Sequence, residues 1–122
     1  MEDRDRVLDA LSRIRCEAVC SEMELHEQAR QALLDAGLEA EHEVRLAARC
    51  RIDFMSGSIG IEIKKSRPNP SALRAQLARY AACEPVSELI VVAPRGVNLP
   101  RMIGGKRITF VALERLWGIS LP

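Results

Sequence analysis

The chain has 122 residues, 48% apolar but only 3% aromatic, so the most it can enclose is one core filled by aliphatic side chains. No apolar run approaches the roughly 20 residues of a membrane helix, and Met1-Glu2-Asp3-Arg4-Asp5-Arg6 lacks the basic-then-apolar order of a secretion signal, so a cytoplasmic protein is expected. The net charge of +1 hides a split: residues 1–44 carry five Lys/Arg against twelve Asp/Glu, and residues 45–122 carry thirteen against five, which fits a polyanion approaching one side.

Val7, Leu8, Leu11 and Ile14 recur at helical spacing and predict an amphipathic helix over about residues 3–18. Ser21 is a natural N-cap, with Glu24 completing a capping box. A second helix then carries Leu25, Ala29, Ala32, Leu33 and Ala36 on one stripe and stops at Gly37. Residues 43–48 alternate loosely, as an edge strand does. Arg51-Ile52-Asp53-Phe54 and Ile61-Glu62-Ile63-Lys64 alternate around a turn sequence and predict a β-hairpin. Pro68 and Pro70 mark a loop, after which Ser71 caps a third helix through about Ala82. Leu89 to Ala93 reads as a buried strand. Pro94 to Lys106 is a long loop. Its Gly104-Gly105-Lys106 is a hairpin turn, since the glycine spacing and the following Ser/Thr that a phosphate cradle requires are missing. Arg107 to Val111 forms a further strand, followed by a short C-terminal helix holding Trp117. This order implies one α/β domain with a mixed central sheet of four or five strands, flanked by helices. Residues 1–19 form an N-terminal helical extension, 20–93 the core and 94–122 a C-terminal strand and helix.

Cys16, Cys20, Cys50 and Cys83 contain no CxxC pair, and His26 and His42 do not complete a zinc set with them. Reduced, mostly buried thiols are expected.

If Gly57-Ser58 is a two-residue type II′ turn, Asp53 faces Glu62 and Arg51 faces Lys64. On the opposite surface Ile52 faces Ile63 and Phe54 faces Ile61. One surface is then apolar core, and the other carries Asp53, Glu62 and Lys64 together. Like charges on opposed residues, about 5 Å apart, destabilise a hairpin. A bound Mg²⁺ would remove the conflict, taking carboxylate oxygens and keeping positions open for water and phosphate. Lys64 would stabilise charge developing on the phosphate or orient the attacking water. The plain alternative is a half-exposed hairpin with a charged outer face, and a one-residue slip would change every partner.

The ordered set Ser21-Glu22-Met23-Glu24-Leu25, Arg51-Ile52-Asp53-Phe54, Ile61-Glu62-Ile63-Lys64 and Gln76-Leu77-Ala78-Arg79-Tyr80 resembles the PD-(D/E)XK nuclease superfamily over about residues 21–93. Ile52 stands where the family name has proline. The resemblance implies a restriction-endonuclease-like core and hydrolysis of nucleic-acid phosphodiesters with Mg²⁺ or Mn²⁺. It assigns metal ligation to Asp53 and Glu62 and a catalytic role to Lys64, with an acidic helix and Gln76 completing the site. Glu22, on the inward stripe with Leu25 and Ala29, is preferred to the capping Glu24 as the helical acid. Lys65, Arg67, Arg74 and Arg79 are candidate phosphate contacts. The expected protein is a DNA endonuclease of phage, prophage or mobile-element type. It would act on a DNA structure or depend on a second subunit or targeting partner; the first helix is a candidate dimer contact, with packing on its own domain the simpler explanation. A non-catalytic nucleic-acid- or protein-binding module and an RNA-directed nuclease are the alternatives.

Overall fold

The structure, a computed structural model, describes residues 3–15 and 20–113. The predicted C-terminal helix with Trp117 lies outside them. Three helices, α1 (Asp3–Leu11), α2 (Glu22–Asp35) and α3 (Pro70–Ala81), flank a mixed sheet. Its strands are β1 (Glu41–Ala47), β2 (Cys50–Ser56), β3 (Ile59–Ile63), β4 (Glu88–Ala93), β5 (Met102–Ile103) and β6 (Lys106–Ala112), in the order β1-β2-β3-β4-β6-β5. The strands β3, β4 and β6 run parallel, and the other neighbours are antiparallel. The sixth strand beyond the expected four or five is the two-residue β5, which folds back on β6 through Gly104 and Gly105, both at positive φ. Among the described residues no helix is long and apolar enough to cross a membrane.

Two helix boundaries differ from expectation for local reasons. The first helix ends at Leu11, because the Ser12 hydroxyl bonds the Asp9 carbonyl at 2.6 Å and competes with further helical turns. Its Val7, Ala10 and Leu11 are buried in this chain's own core, where Ile14 joins them, so that face is not free for a dimer contact. The third helix is capped by Asn69, not Ser71: the Asn69 side chain accepts from the Ala72 N–H at 3.0 Å, and Pro70 occupies a first-turn position that needs no N–H donor. The capping box of Ser21 and Glu24 forms as expected.

While the edge strand β1 has no buried residue, the central strands β2, β3 and β4 are buried on both faces. On one, Phe54, Ile59, Ile61, Ile63, Ile90 and Val92 pack against α1 and α2; on the other, Ile52, Met55, Leu89 and Val91 pack against Leu73, Leu77 and Tyr80 of α3. Gly60 lies where Ile52 and Leu89 close over the backbone, since an added Cβ would stand 2.6 Å from Ile52 Cδ1. The expected surface with Ile52 and Phe54 side by side is therefore wrong: they enter opposite cores, and β2 changes face between them at Asp53. The partner strand turns at the same level, with Glu43 at φ +52° between the His42–Phe54 and Val44–Ile52 pairs. Cys50 and Cys83 are free thiols. Cys20 is disulfide-bonded, so the expectation of four reduced thiols fails there.

Candidate active site

Gly57 has φ +61° while Ser58 does not have positive φ, which fits the predicted type II′ turn. The register follows: Phe54 pairs with Ile61, Met55 with Gly60 and Ser56 with Ile59. Beyond Phe54 the ladder opens. The Ile63 N–H donates to Asp53 Oδ2 at 2.7 Å, while the Lys64 N–H donates to the Val92 carbonyl of β4 at 2.7 Å. Asp53 and Glu62 thus sit where β2 and β3 part, between α2 on one face and α3 on the other.

Glu62 is buried and held by two groups. Its Oε1 lies 2.9 Å from the Tyr80 hydroxyl, and its Oε2 lies 3.1 Å from Lys64 Nζ. The single Tyr80 proton is shared with the Arg51 carbonyl at 3.0 Å, and Gln76 Nε2 donates to the Tyr80 oxygen at 3.0 Å. Burial is the first cause that raises the Glu62 carboxyl above its ordinary value. The Asp53 charge is the second, with Lys64 and Tyr80 acting against both. Burial also raises Asp53, opposed by the Ile63 N–H and by His26 and Lys64, and reinforced by Glu22. Burial and the Glu62 carboxylate hold the Tyr80 hydroxyl far above its usual range, so it remains a donor.

The α2 side brings in two residues that the sequence pattern did not place in the site. His26 Nε2 lies 3.7 Å from Asp53 Oδ2 and 3.8 Å from Glu22 Oε1, buried and without a hydrogen-bond partner among the described residues. His26 Nδ1 meets His42 Nε2 at 3.0 Å, and His42 stacks on Phe54 with ring centroids 4.6 Å apart. The tautomer that suits these neighbours has His42 donating to His26 Nδ1, which leaves an Nε2–H directed towards the two carboxylates. The signal for His26 was its position four residues after Glu22 on the same helix face. His42 joins only through its strand pairing with Phe54. Glu22 stands on the Asp53 side with its carboxylate largely exposed, whereas Glu24 is occupied in the capping box.

Of the predicted phosphate contacts, Lys65 and Arg79 join Lys64, Gln76 and the capped start of α3 around a cleft of about 350 Å³. Arg67 faces the neighbouring groove of about 730 Å³ beside β6, and Arg74 lines neither. Among the described residues no three His, Cys, Asp or Glu side chains are gathered into a preformed metal cage. No family model, curated protein or solved structure matches the chain.

Proposed function

We propose that the chain is a divalent-metal-dependent endonuclease of the PD-(D/E)XK type, acting on DNA phosphodiester bonds from a restriction-endonuclease-like core. The observation that carries this reading is the meeting of Asp53 and Glu62. Glu62 is buried and Asp53 half-buried, each made harder to ionise by burial and by other carboxylates, with Lys64 against Glu62. A pair of this kind costs stability unless a cation or proton neutralises it.

The residues fit a small hard cation. Mg²⁺ is commonly held by one or two carboxylates, with water and substrate phosphate completing the shell, so Asp53 and Glu62 suffice without a three-residue cage. When bound, Mg²⁺ or Mn²⁺ would polarise the scissile phosphate and acidify a water. The protein's own groups do the rest. Lys64 offers its ammonium to the charge that develops on phosphate. Tyr80, braced by Gln76, fixes the Glu62 carboxylate, and His26 faces Asp53 from α2. Lys65 and Arg79 would guide the backbone into the cleft beside them.

A second reading, a binding module without catalysis, is favoured by one observation: both Glu62 oxygens already have partners in Tyr80 and Lys64. Incubation with single-stranded, duplex and branched DNA and with RNA, each with Mg²⁺, Mn²⁺ or EDTA, separates the readings. Cleavage of DNA that needs metal and is lost in Asp53→Asn is expected. Wild-type cleavage by Asp53→Asn would move the nuclease site away from Asp53, absence of both cleavage and any metal-dependent shift would leave the binding module, and cleavage of RNA alone would change the substrate. Gel filtration of the same preparations tests for a homodimer.

A further inference from the structure

We infer that Cys50 and Cys83 form a modification site, a disulfide that an external oxidant closes between the start of β2 and the turn after α3. The two residues lie 33 positions apart in sequence, yet their sulfurs stand 4.0 Å apart and both are free thiols. A disulfide needs about 2.05 Å between sulfurs, so the gap to close is about 2 Å, within reach of a side-chain rotation in a short turn. Cys50 is buried and Cys83 is half-buried, its thiol bonded to the Arg79 carbonyl at 3.4 Å. Lys106 Nζ donates to the Cys83 and Val86 carbonyls, which pins that turn beside β2.

The exposure difference sets the order of events. A small-molecule disulfide such as oxidised glutathione meets Cys83 first. The Cys83 thiolate attacks one of its sulfurs, a mixed disulfide forms, and one glutathione thiolate leaves. Cys50 then gives up its proton and attacks Cys83 Sγ, expelling the second glutathione thiolate. Two protein thiols lose two electrons and two protons, and one oxidant disulfide becomes two thiols. Burial pushes the Cys50 thiol up, so Cys50 is the poorer first nucleophile and attacks only once the mixed disulfide stands beside it on Cys83. The bond would cross the same seam that the Tyr80 hydroxyl spans to the Arg51 carbonyl, next to Cys50. Closure would therefore tighten α3 against β2 directly behind Glu62.

The test uses the full chain equilibrated in graded ratios of oxidised to reduced glutathione, quenched with acid, alkylated and digested without reduction. Mass spectrometry should find the Cys50 and Cys83 peptides joined, lighter by two hydrogens, and separated again by dithiothreitol. The joined form should melt several degrees above the reduced one, because the bond closes a long loop. Cys83→Ser, which alters the half-buried partner, should lose both the linkage and the melting shift. Both thiols still alkylating after unfolding, separate glutathione adducts alone, linkage to a different cysteine, or a joined form that melts no higher would each overturn the inference. The readout is covalent, so it stands or fails independently of any nuclease activity.

Discussion

Asp53 Oδ2 accepts the backbone N–H of Ile63 at 2.7 Å, so a side chain takes the place that a β2 carbonyl would hold in a continued ladder. The carboxylate ends the strand pairing and supplies charge to the site in one contact. Asp53→Asn keeps an acceptor for Ile63 and removes the charge. Asp53→Ala leaves a buried N–H without a partner. Urea unfolding at neutral pH should find the alanine variant less stable by about 1–3 kcal/mol. The asparagine variant should equal the wild type or exceed it by up to about 1 kcal/mol, the scale of a like-charge strand neighbour removed. Equal losses for the two would show that charge is not what strains the site.

The pH dependence has a defined sign. Asp53 and Glu62 are both raised in the folded state, so the folded chain binds these protons more tightly than the unfolded chain does. That contribution to stability is complete below the unfolded carboxyl values and is lost as pH rises through the raised folded ones. The advantage of Asp53→Asn over wild type should therefore be greatest at neutral pH. It should shrink through the mildly acidic range and vanish below about pH 4. Melting temperatures of the two chains across that range, without divalent ions, check this. A gap that widens towards acid would contradict it.

Tyr80→Phe removes only the hydroxyl that Glu62, Arg51 and Gln76 share. Glu62 Oε1 then faces an apolar ring edge in a buried place. A loss of about 1–3 kcal/mol is expected in chemical denaturation. A double cycle with Glu62→Gln should show coupling between the two residues, since each removes the other's partner. Additive losses would place the Tyr80 contribution in packing alone.

The hairpin was legible because a glycine at the first turn position fixes its register, and the pairs from Phe54–Ile61 to Ser56–Ile59 all agree with it. Its burial was not. Strict alternation puts Ile52 and Phe54 on one face, but β2 rotates at Asp53 and sends them to separate cores, a tertiary effect that no spacing encodes. Asp53, Glu62 and Lys64 could be named together because they share one hairpin, whereas Glu22 and Gln76 were named only through the resemblance. His26 and His42, 16 residues apart, meet only once the edge strand β1 is laid beside β2. The basic residues divided for a similar reason: Lys65 and Arg67 are near neighbours in sequence, yet the chain turning into α3 sends them to different grooves.

That division predicts unequal roles in binding. Lys65 and Arg79 border the cleft beside Lys64, whereas Arg74 does not. Neutralising Lys65 and Arg79 together should weaken DNA binding and lower the salt slope by about 0.9 for each phosphate that the protein no longer neutralises. Arg74→Ala should leave both unchanged. Fluorescence anisotropy against salt concentration, with a short duplex and EDTA present to prevent cutting, measures this. The same slope in the double variant and the wild type would put the interface elsewhere.

Lys64 provides the sharpest division between holding a cation and using one. Its Nζ stands 3.1 Å from Glu62 Oε2, so in the metal-free chain it partly neutralises the carboxylate that a cation would also claim. On the proposed reading, millimolar Mg²⁺ should raise the wild-type melting temperature, because a ligand bound only by the folded state stabilises it by mass action. Asp53→Asn and Glu62→Gln each lose a charged donor, so the rise should shrink or disappear with them. Lys64→Ala should behave in the opposite way. Removing the ammonium frees a Glu62 oxygen and removes a competing positive charge, so the Mg²⁺-linked rise should be kept or enlarged. Its cleavage should nevertheless fall by at least about 100-fold, the scale seen when one charge-stabilising donor is removed from a catalytic site. Lys64→Ala that cuts at the wild-type rate would remove this residue from the chemistry. A wild-type chain with neither a metal-linked rise nor cleavage would leave Lys64 and Glu62 as a structural ion pair beneath a binding surface.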